Sequence, residues 1–324
     1  MDLCRRRVLG AGALAGLSLV GSVAGTSKLV AAQPKAGRQV PGIYRIGVGD
    51  CEVTAILDGY LDLGIELFAN ATPETAAKLQ KAAFVPVGPT VRGAVNAYVV
   101  NTSDKLMVID AGGRDFLGPT LGQLPLHLTA AGIDPAAVDI VALTHMHPDH
   151  VGGLVTENGA AVFPNAELVV HKADWDFWMS PEVAAKTPDS AQPFFDAAQS
   201  AGTPYAKRVR LIEADGEIVP EIASLALPGH TPGHTGYMIG KGDNRLLIWG
   251  DIVHSAVFQF PHPNWSISFD IFPEQAVATR RAIFETAAKE RLMVAGMHLP
   301  FPGIGYVVKR NGFRFVPVDW SYQL

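Results

Sequence analysis

Cysteine is nearly absent from this chain: there are two in 324 residues. Cys4 precedes the first apolar stretch, and Cys51 stands in the alternating run Cys51-Glu52-Val53-Thr54-Ala55-Ile56, where it reads as a small core residue. If the N-terminus is removed, the remaining monomer has no internal disulfide. Charge is also sparse and leans acidic, with 26 Lys and Arg against 31 Asp and Glu and a formal net charge of −5. A nucleic-acid binder usually carries a basic face, so that class fits poorly. Outside the N-terminus no apolar run approaches the roughly 20 residues of a membrane-spanning helix. Internal repeats and low-complexity blocks are missing too. What is abundant excludes disorder and a helical bundle: 48% of residues are hydrophobic, and 33 glycines and 23 prolines imply many turns and long loops.

The first 32 residues read as a processing signal. Arg5, Arg6 and Arg7 precede the apolar stretch Val8 to Val23, and Val30-Ala31-Ala32 supplies small residues for cleavage. Paired arginines with Val8-Leu9 behind them look like a twin-arginine signal, and imply export to the periplasm. The stretch is short and weakly hydrophobic, which argues against a membrane anchor. Removal would take Arg5, Arg6, Arg7 and Lys28 with Asp2, so the mature chain would be more acidic still. Residues 33–41 read as a linker, and 42–324 as one domain without a second linker.

Within that domain strand and helix signals alternate. Tyr44 to Val48 and Glu52 to Leu57 read as strands about a Gly49-Asp50 turn, and Val91 to Val100 and Lys105 to Asp110 as a strand pair. Helices are expected from Thr72-Pro73-Glu74, over Pro119 to Ala131, and over about Pro273 to Glu290. The alternation, with extra hairpins, predicts an α/β sandwich with helices covering sheets.

Five short apolar runs end directly in a residue that can ligate a metal. They lead into Asp110, His145, His230, Asp251 and His298. Ligand sites favour the ends of buried strands, so five such ends on one edge would gather a polar cluster on a rigid base. The densest group is His145-Met146-His147-Pro148-Asp149-His150, followed by Val151-Gly152-Gly153. Four ligand-type side chains fall within six residues, where a lone histidine would more often be structural.

This pattern, H-x-H-x-D-H, resembles the metallo-β-lactamase superfamily. His230 in Gly229-His230-Thr231-Pro232-Gly233-His234, Asp251 after Gly250, and His298 in Gly296-Met297-His298 follow in the family's order. The resemblance spans about residues 42–324 and is nearest the methyl parathion hydrolase group and its lactonase relatives. Supporting stretches are Phe116 to Gly122, Phe163 to Ala166, Phe301 to Gly305 and Phe313 to Val318.

The resemblance implies an αββα sandwich and two divalent metal ions. His145, His147 and His230 would bind one; Asp149, His150 and His298 the other; Asp251 would bridge them. Neutral imidazoles and carboxylates suit zinc, and also Mn, Co or Fe. A hydroxide between the metals would attack a carbonyl carbon or a phosphorus. Asp110 resembles the family's carboxylate behind a ligand histidine, and His234 reads as a hydrogen-bonding support. Lactonase relatives place a Tyr three residues after the bridging Asp; here that position is His254, which is expected at the substrate. His127, His171 and His262 have no strong claim.

The implied activity is hydrolysis of neutral esters, meaning lactones, aryl esters or phosphotriesters, with a homodimer suggested by the relatives. Alternatives are a thioester hydrolase of the glyoxalase II type and an iron-dependent oxidoreductase on the same fold; a binding protein without turnover is a weaker one. Two aromatic clusters, Trp175-Phe177-Trp178-Phe194-Phe195 and Phe258-Phe260-Trp265-Phe269-Phe272, lie between ligand-bearing segments and contain no Lys or Arg. They predict an apolar pocket, with Trp178, Phe194, Phe195 and Leu117 as its best candidates.

Overall fold

The computed structural model describes residues 35–324. The expected signal, residues 1–32, lies outside the described residues, and of the expected linker residues 35–41 are described and have no helix or strand. The first sheet holds seven strands in chain order: β1 (Ile43–Val48), β2 (Cys51–Gly64), β3 (Thr90–Asn101), β4 (Leu106–Ile109), β5 (Ile140–Ala142), β6 (Glu167–His171) and β7 (Val209–Ile212). The first four pair antiparallel and the last four parallel. The second sheet runs from β8 (Gly216–Val219) through β9 (Ile222–Ala226), β10 (Thr235–Lys241), β11 (Asn244–Ile248), β12 (Met293–Ala295) and β13 (Ile304–Lys309) to β14 (Phe313–Pro317). Only β11 and β12 pair parallel in it.

Helices fill the connections: α1 (Pro73–Ala82), α2 (Leu124–Ala130), α3 (Pro148–Val151), α4 (Lys172–Trp178), α5 (Pro181–Lys186), α6 (Gln192–Gly202), α7 (Ala256–Gln259) and α8 (Pro273–Glu290). Among the described residues no helix is long and apolar enough to cross a membrane. Residues Val40–Leu324 form one compact unit.

Strand alternation sorts the apolar side chains into layers. Val53, Ala55, Tyr98, Val100, Met107 and Ile109 face Ile222, Tyr237, Ile239, Leu246, Ile248 and Ala295 between the sheets. The opposite faces of the same strands meet helices. Ile56, Val99, Val108, Val141 and Leu168 pack with Leu124, Leu128 and Phe195, while Leu247 and Val294 pack with Phe284 and Ala287 of α8. This is an αββα sandwich. Each large aliphatic side chain buried this way contributes about 1.5–3 kcal/mol before entropy is charged against it.

Helix α8 spans the expected residues, and α1 begins as expected, with Thr72 Oγ1 accepting from Thr75 N–H at 3.2 Å. Two expectations need correction. Strand β2 continues past Leu57 to Gly64 across a bulge at Asp58. The helix expected over 119–131 exists only from Leu124 to Ala130. The buried Asp58 carboxylate explains both. It accepts from Gly113, Gly122 and Leu124 N–H at 2.9, 3.1 and 2.8 Å, so the segment before α2 is folded around a side chain.

Candidate metal centre

Parallel pairing sets the site's position. Strands β4 and β5 run the same way, as do β11 and β12, so their C-terminal ends lie on common edges. Asp110 and His145 follow β4 and β5; Asp251 and His298 follow β11 and β12. Strand β9 is antiparallel to β10, and β10 to β11, so β9 also points its C-terminal end, and His230 beyond it, the same way.

Two approaches require glycine. Gly250 has φ +58°, and a Cβ there would lie 2.5 Å from His234 Nε2. Gly229 has φ +130°, and a Cβ would lie 2.2 Å from Ala276 N. Asp110 adopts φ +57° without being glycine, a conformation costing about 1–3 kcal/mol. Its carboxylate offsets that cost by accepting from Thr144 N–H, Thr144 Oγ1–H and His150 Nδ1, each at 2.7 Å.

The seven expected ligands converge. His145, His147, His230 and Asp251 bring their ligand atoms within 4.8 Å of one another, and so do Asp149, His150 and His298. Asp251 Oδ2 has five imidazole Nε2 atoms around it: His298 at 3.1 Å, His254 at 3.2 Å, His150 at 3.3 Å, His230 at 3.4 Å and His145 at 3.7 Å. Asp149 Oδ2 lies 3.3 Å from His298 and 3.5 Å from His150. All of these residues are buried.

The far nitrogens define the tautomers. His150 Nδ1 meets Asp110; His230 Nδ1 meets Asp270 Oδ1 at 2.8 Å; His298 Nδ1 meets the Ala94 carbonyl at 2.8 Å. Thr144 Oγ1 gives its proton to Asp110 and so accepts from His145 Nδ1, 3.0 Å away. In the neutral form these four histidines therefore aim an Nε2 lone pair at the centre. His147 enters the other way round, its Nδ1 only 3.0 Å from His230 Nε2. Two imidazole nitrogens with no hydrogen between them repel unless a cation or shared proton lies between. His145 Nε2, His150 Nε2 and Asp251 Oδ1 are buried without hydrogen-bond partners. Such orphans are rare in folded proteins, and this donor set, imidazole with carboxylate, suits two divalent cations.

The local field divides the histidines: two stand neutral, and two hold a proton that a bound cation would have to displace. Burial drives His145 and His147 well below their ordinary pKa, as neutral ligands require. Burial acts the same way on His150 and His230, but carboxylates outweigh it. Asp251, Asp149 and Asp110 hold His150 well above its ordinary value, and Asp251 and Asp270 raise His230 to about 9. Asp251 is itself held far below the carboxylate range, the histidines outweighing its burial. His234 is a support: Nδ1 donates to the Leu227 carbonyl at 2.8 Å, and Nε2 accepts from Asp251 N–H at 2.9 Å.

A cavity of about 330 Å³ opens on the cluster, walled by Leu61, Leu63, Leu67, Leu117, Phe194 and Phe269, with His254 at its floor. Phe194 and Leu117 stand where expected. Phe195 does not: it is 1% exposed and packs in the core. Consecutive residues of α6 point about 100° apart, so only one of the pair can face the site. Trp178 backs His147, ring centroids 5.2 Å apart, rather than lining the cavity. Of the second cluster, Phe269 reaches the cavity; Phe258, Phe260 and Trp265 are buried in packing, and Phe272 is exposed. His127, His171 and His262 lie elsewhere: His127 Nδ1 meets the Leu57 carbonyl, His171 caps α4, and His262 stacks on Trp265.

Sequence reasoning missed three supports. Asp270 orients His230. Asp174, on α4, accepts from Met146 and Gly233 N–H at 3.1 and 2.6 Å, joining the two histidine loops. Arg280, on α8, is 1% exposed and donates to the Ile252 and Trp265 carbonyls beside Asp251 and Asp270. The acid in Phe269-Asp270-Ile271 and the cation in the apolar row of α8 were the available signals.

A sequence model of the metallo-beta-lactamase superfamily matches residues 90–298. Among solved structures, the chain is similar to hydrolase AbOPH of the beta lactamase superfamily, with a TM-score of 0.83 and 34% identity over 88% of this chain and 100% of that one. It is also similar to AidC, described as a dizinc quorum-quenching lactonase in complex with a product, with a TM-score of 0.80 and 28% identity over 87% and 99%. An N-acyl homoserine lactonase, AiiA of Bacillus thuringiensis subsp. kurstaki, is 25% identical over 52% of this chain, and the match spans 58% of that protein's own length.

Proposed function

We propose that this chain, which belongs to the metallo-β-lactamase superfamily and is a metal-dependent hydrolase, cleaves small neutral esters: lactones, aryl esters or phosphotriesters. The observation that carries this reading is the cluster itself, five imidazole nitrogens about Asp251 Oδ2, at the floor of an apolar cavity. His145, His147, His230 and Asp251 would hold one divalent cation, and Asp149, His150, His298 and Asp251 a second, most simply zinc. When bound, such ions polarise an ester oxygen and make a water acidic enough to ionise near neutral pH.

The chain's own groups do the rest. Asp110, Asp270 and the Ala94 carbonyl fix three of the imidazoles, so little reorganisation is left for turnover. Leu117, Phe194 and Phe269 exclude water and receive an uncharged, apolar part of the substrate. His254, held at about pKa 4 by burial, is neutral at working pH and lines the cavity; with its Nε2–H turned to Asp251 Oδ2 at 3.2 Å, it offers a substrate its ring and an unpartnered Nδ1 that can only accept. A lactone is favoured among the esters by the likeness to AidC, a lactonase by description. The arginine-led N-terminus supports export to the periplasm by a twin-arginine route.

The test is zinc analysis of purified protein followed by rates on a lactone, an aryl phosphotriester, a thioester and a β-lactam. Two metals per chain and preference for one of the first two are expected. One metal or fewer, or a thioester or β-lactam as the best substrate, refutes the reading.

A further inference from the structure

The metal cluster borders a second recess. It has a volume of about 420 Å³ and shares Asp62 and His298 with the apolar cavity. Its walls are mostly apolar, from Val85, Pro86, Val91, Val257 and Pro300. At its rim Arg92 bonds both carboxylate oxygens of Asp62, at 2.9 and 3.0 Å, and lies over the Tyr60 ring at 3.8 Å. The pair satisfies itself and presents no net charge.

One polar group in this wall has no partner. Ser255 is 2% exposed, and its Oγ makes no hydrogen bond. Serine just before a helix commonly turns its hydroxyl onto a free helix N–H. Ser255 precedes α7 and does not. Its backbone N–H and that of His254 are instead taken by the buried Gln259 Oε1, at 3.3 and 2.7 Å. The segment is thus held by Gln259, and the Ser255 hydroxyl is left over beside the metal cluster. A buried hydroxyl without a partner is costly, and Ser255 is one of the residues around a recess that also borders the candidate ligand His298.

We propose that the recess is a second substrate subsite and that Ser255 is its specificity-determining residue. The favoured ester has two arms. With its reactive group at the metal cluster, an apolar arm lies between Leu117, Phe194 and Phe269, and a second arm carries a neutral amide or ketone to Ser255 Oγ. The hydroxyl both donates and accepts, so it suits an amide oxygen or N–H. A charged arm gains nothing, because Arg92 and Asp62 already neutralise each other. This inference rests on the neutral-ester reading.

Three esters test it with the zinc-loaded full chain: phenyl hexanoate, 4-acetamidophenyl hexanoate, and phenyl 6-acetamidohexanoate. The quantity read is the kcat/KM preference for each amide ester over the plain one. Comparing enzymes cancels the intrinsic reactivities. Ser255→Ala is expected to lower one of the two preferences about tenfold, the worth of one hydrogen bond to a buried partner. Ser255→Thr, which keeps a hydroxyl, is expected to retain it. Should the alanine variant fold poorly, Ser255→Cys, near in size and a weak donor, gives the same reading. Both preferences unchanged within twofold overturn the subsite. No hydrolysis of any ester by the zinc-loaded wild type is a different result: it removes the neutral-ester reading, and the subsite with it.

Discussion

Asp174 offers the most demanding test of how the metal cluster is assembled. It is fully buried on α4, far in sequence from the loops it joins, and one carboxylate oxygen serves each loop. Asp174→Ala leaves Met146 N–H and Gly233 N–H buried without acceptors, at about 1–3 kcal/mol each, or about 4 kcal/mol together. Against this stands the cost of keeping a charge in that place. Burial raises the Asp174 pKa from 3.8 to about 6. A folded-state pKa above the unfolded one contributes stability that is complete below the unfolded value and is lost as pH rises through the folded value. As pH rises from below 4 to above 6 the wild type therefore loses about 3 kcal/mol in all that the alanine variant does not lose. The expected destabilisation is about 3 kcal/mol at pH 4.5 and about 1 kcal/mol at pH 7.5. Urea unfolding of the chelated protein at both pH values measures it. Zinc affinity, from competition with a chromophoric chelator, should fall at least about tenfold, as for outer partners of metal ligands. A penalty that is equal at the two pH values, or larger at pH 7.5, refutes the electrostatic argument. An unchanged zinc affinity refutes the claim that Asp174 holds the two loops in register.

Other outcomes follow from the same geometry. Asp251→Asn should lower metal content and remove nearly all turnover; near wild-type kcat with a single metal bound rules out the two-metal arrangement. Phe194→Ala and Leu117→Ala should each lower kcat/KM on an apolar ester about tenfold, since each removes wall from the cavity, while Phe195→Ala should cost about 3–5 kcal/mol of stability as a core deletion. An unchanged kcat/KM for both cavity variants dismisses the pocket assignment. If the N-terminus directs export, mass spectrometry of the exported protein should find a chain beginning near Gln33, and intact Met1 in a soluble cytoplasmic pool argues the other way.

The cluster of candidate ligands was legible because it sits where the chain is most regular. Apolar runs at 106–109, 140–144 and 292–297 read as buried strands, and the ligands follow their ends. The supports were not legible, because each comes from a distant segment. Asp270 reaches His230 across 40 positions, and Asp174 reaches Gly233 across 59. Nothing local marks an acid as an acceptor for a loop it has not yet met. The helix misjudged over 119–131 has the same origin. Leu121, Leu124 and Leu128 keep a helical spacing, but Asp58, 64 positions before Gly122, holds the first part as a loop. Phe194 and Phe195 were indistinguishable as a pair, since only the phase of α6 against the core separates the two faces.

The ligands divide between the sheets. The first sheet supplies the segment His145 to His150, with Asp110 behind it, and the second supplies His230, Asp251 and His298. A site split in this way needs the halves held in register by something other than the apolar core, which resists separation but is weakly directional. Polar bonds across the seam provide direction. Thr235 N–H donates to the Thr144 carbonyl at 2.8 Å, and Tyr237 Oη–H to the Leu143 carbonyl at 2.8 Å, both beside His145. Asn96 donates to the Gly296 and Leu299 carbonyls, and Tyr98 to Gly296, on either side of His298. His298 itself donates to the Ala94 carbonyl across the seam. The turns that carry His145 and His298 are thus fixed by the opposite sheet as well as by their own strands. That double attachment keeps the His145 and His298 nitrogens crowded about Asp251, because neither turn can relax without breaking bonds to the other sheet.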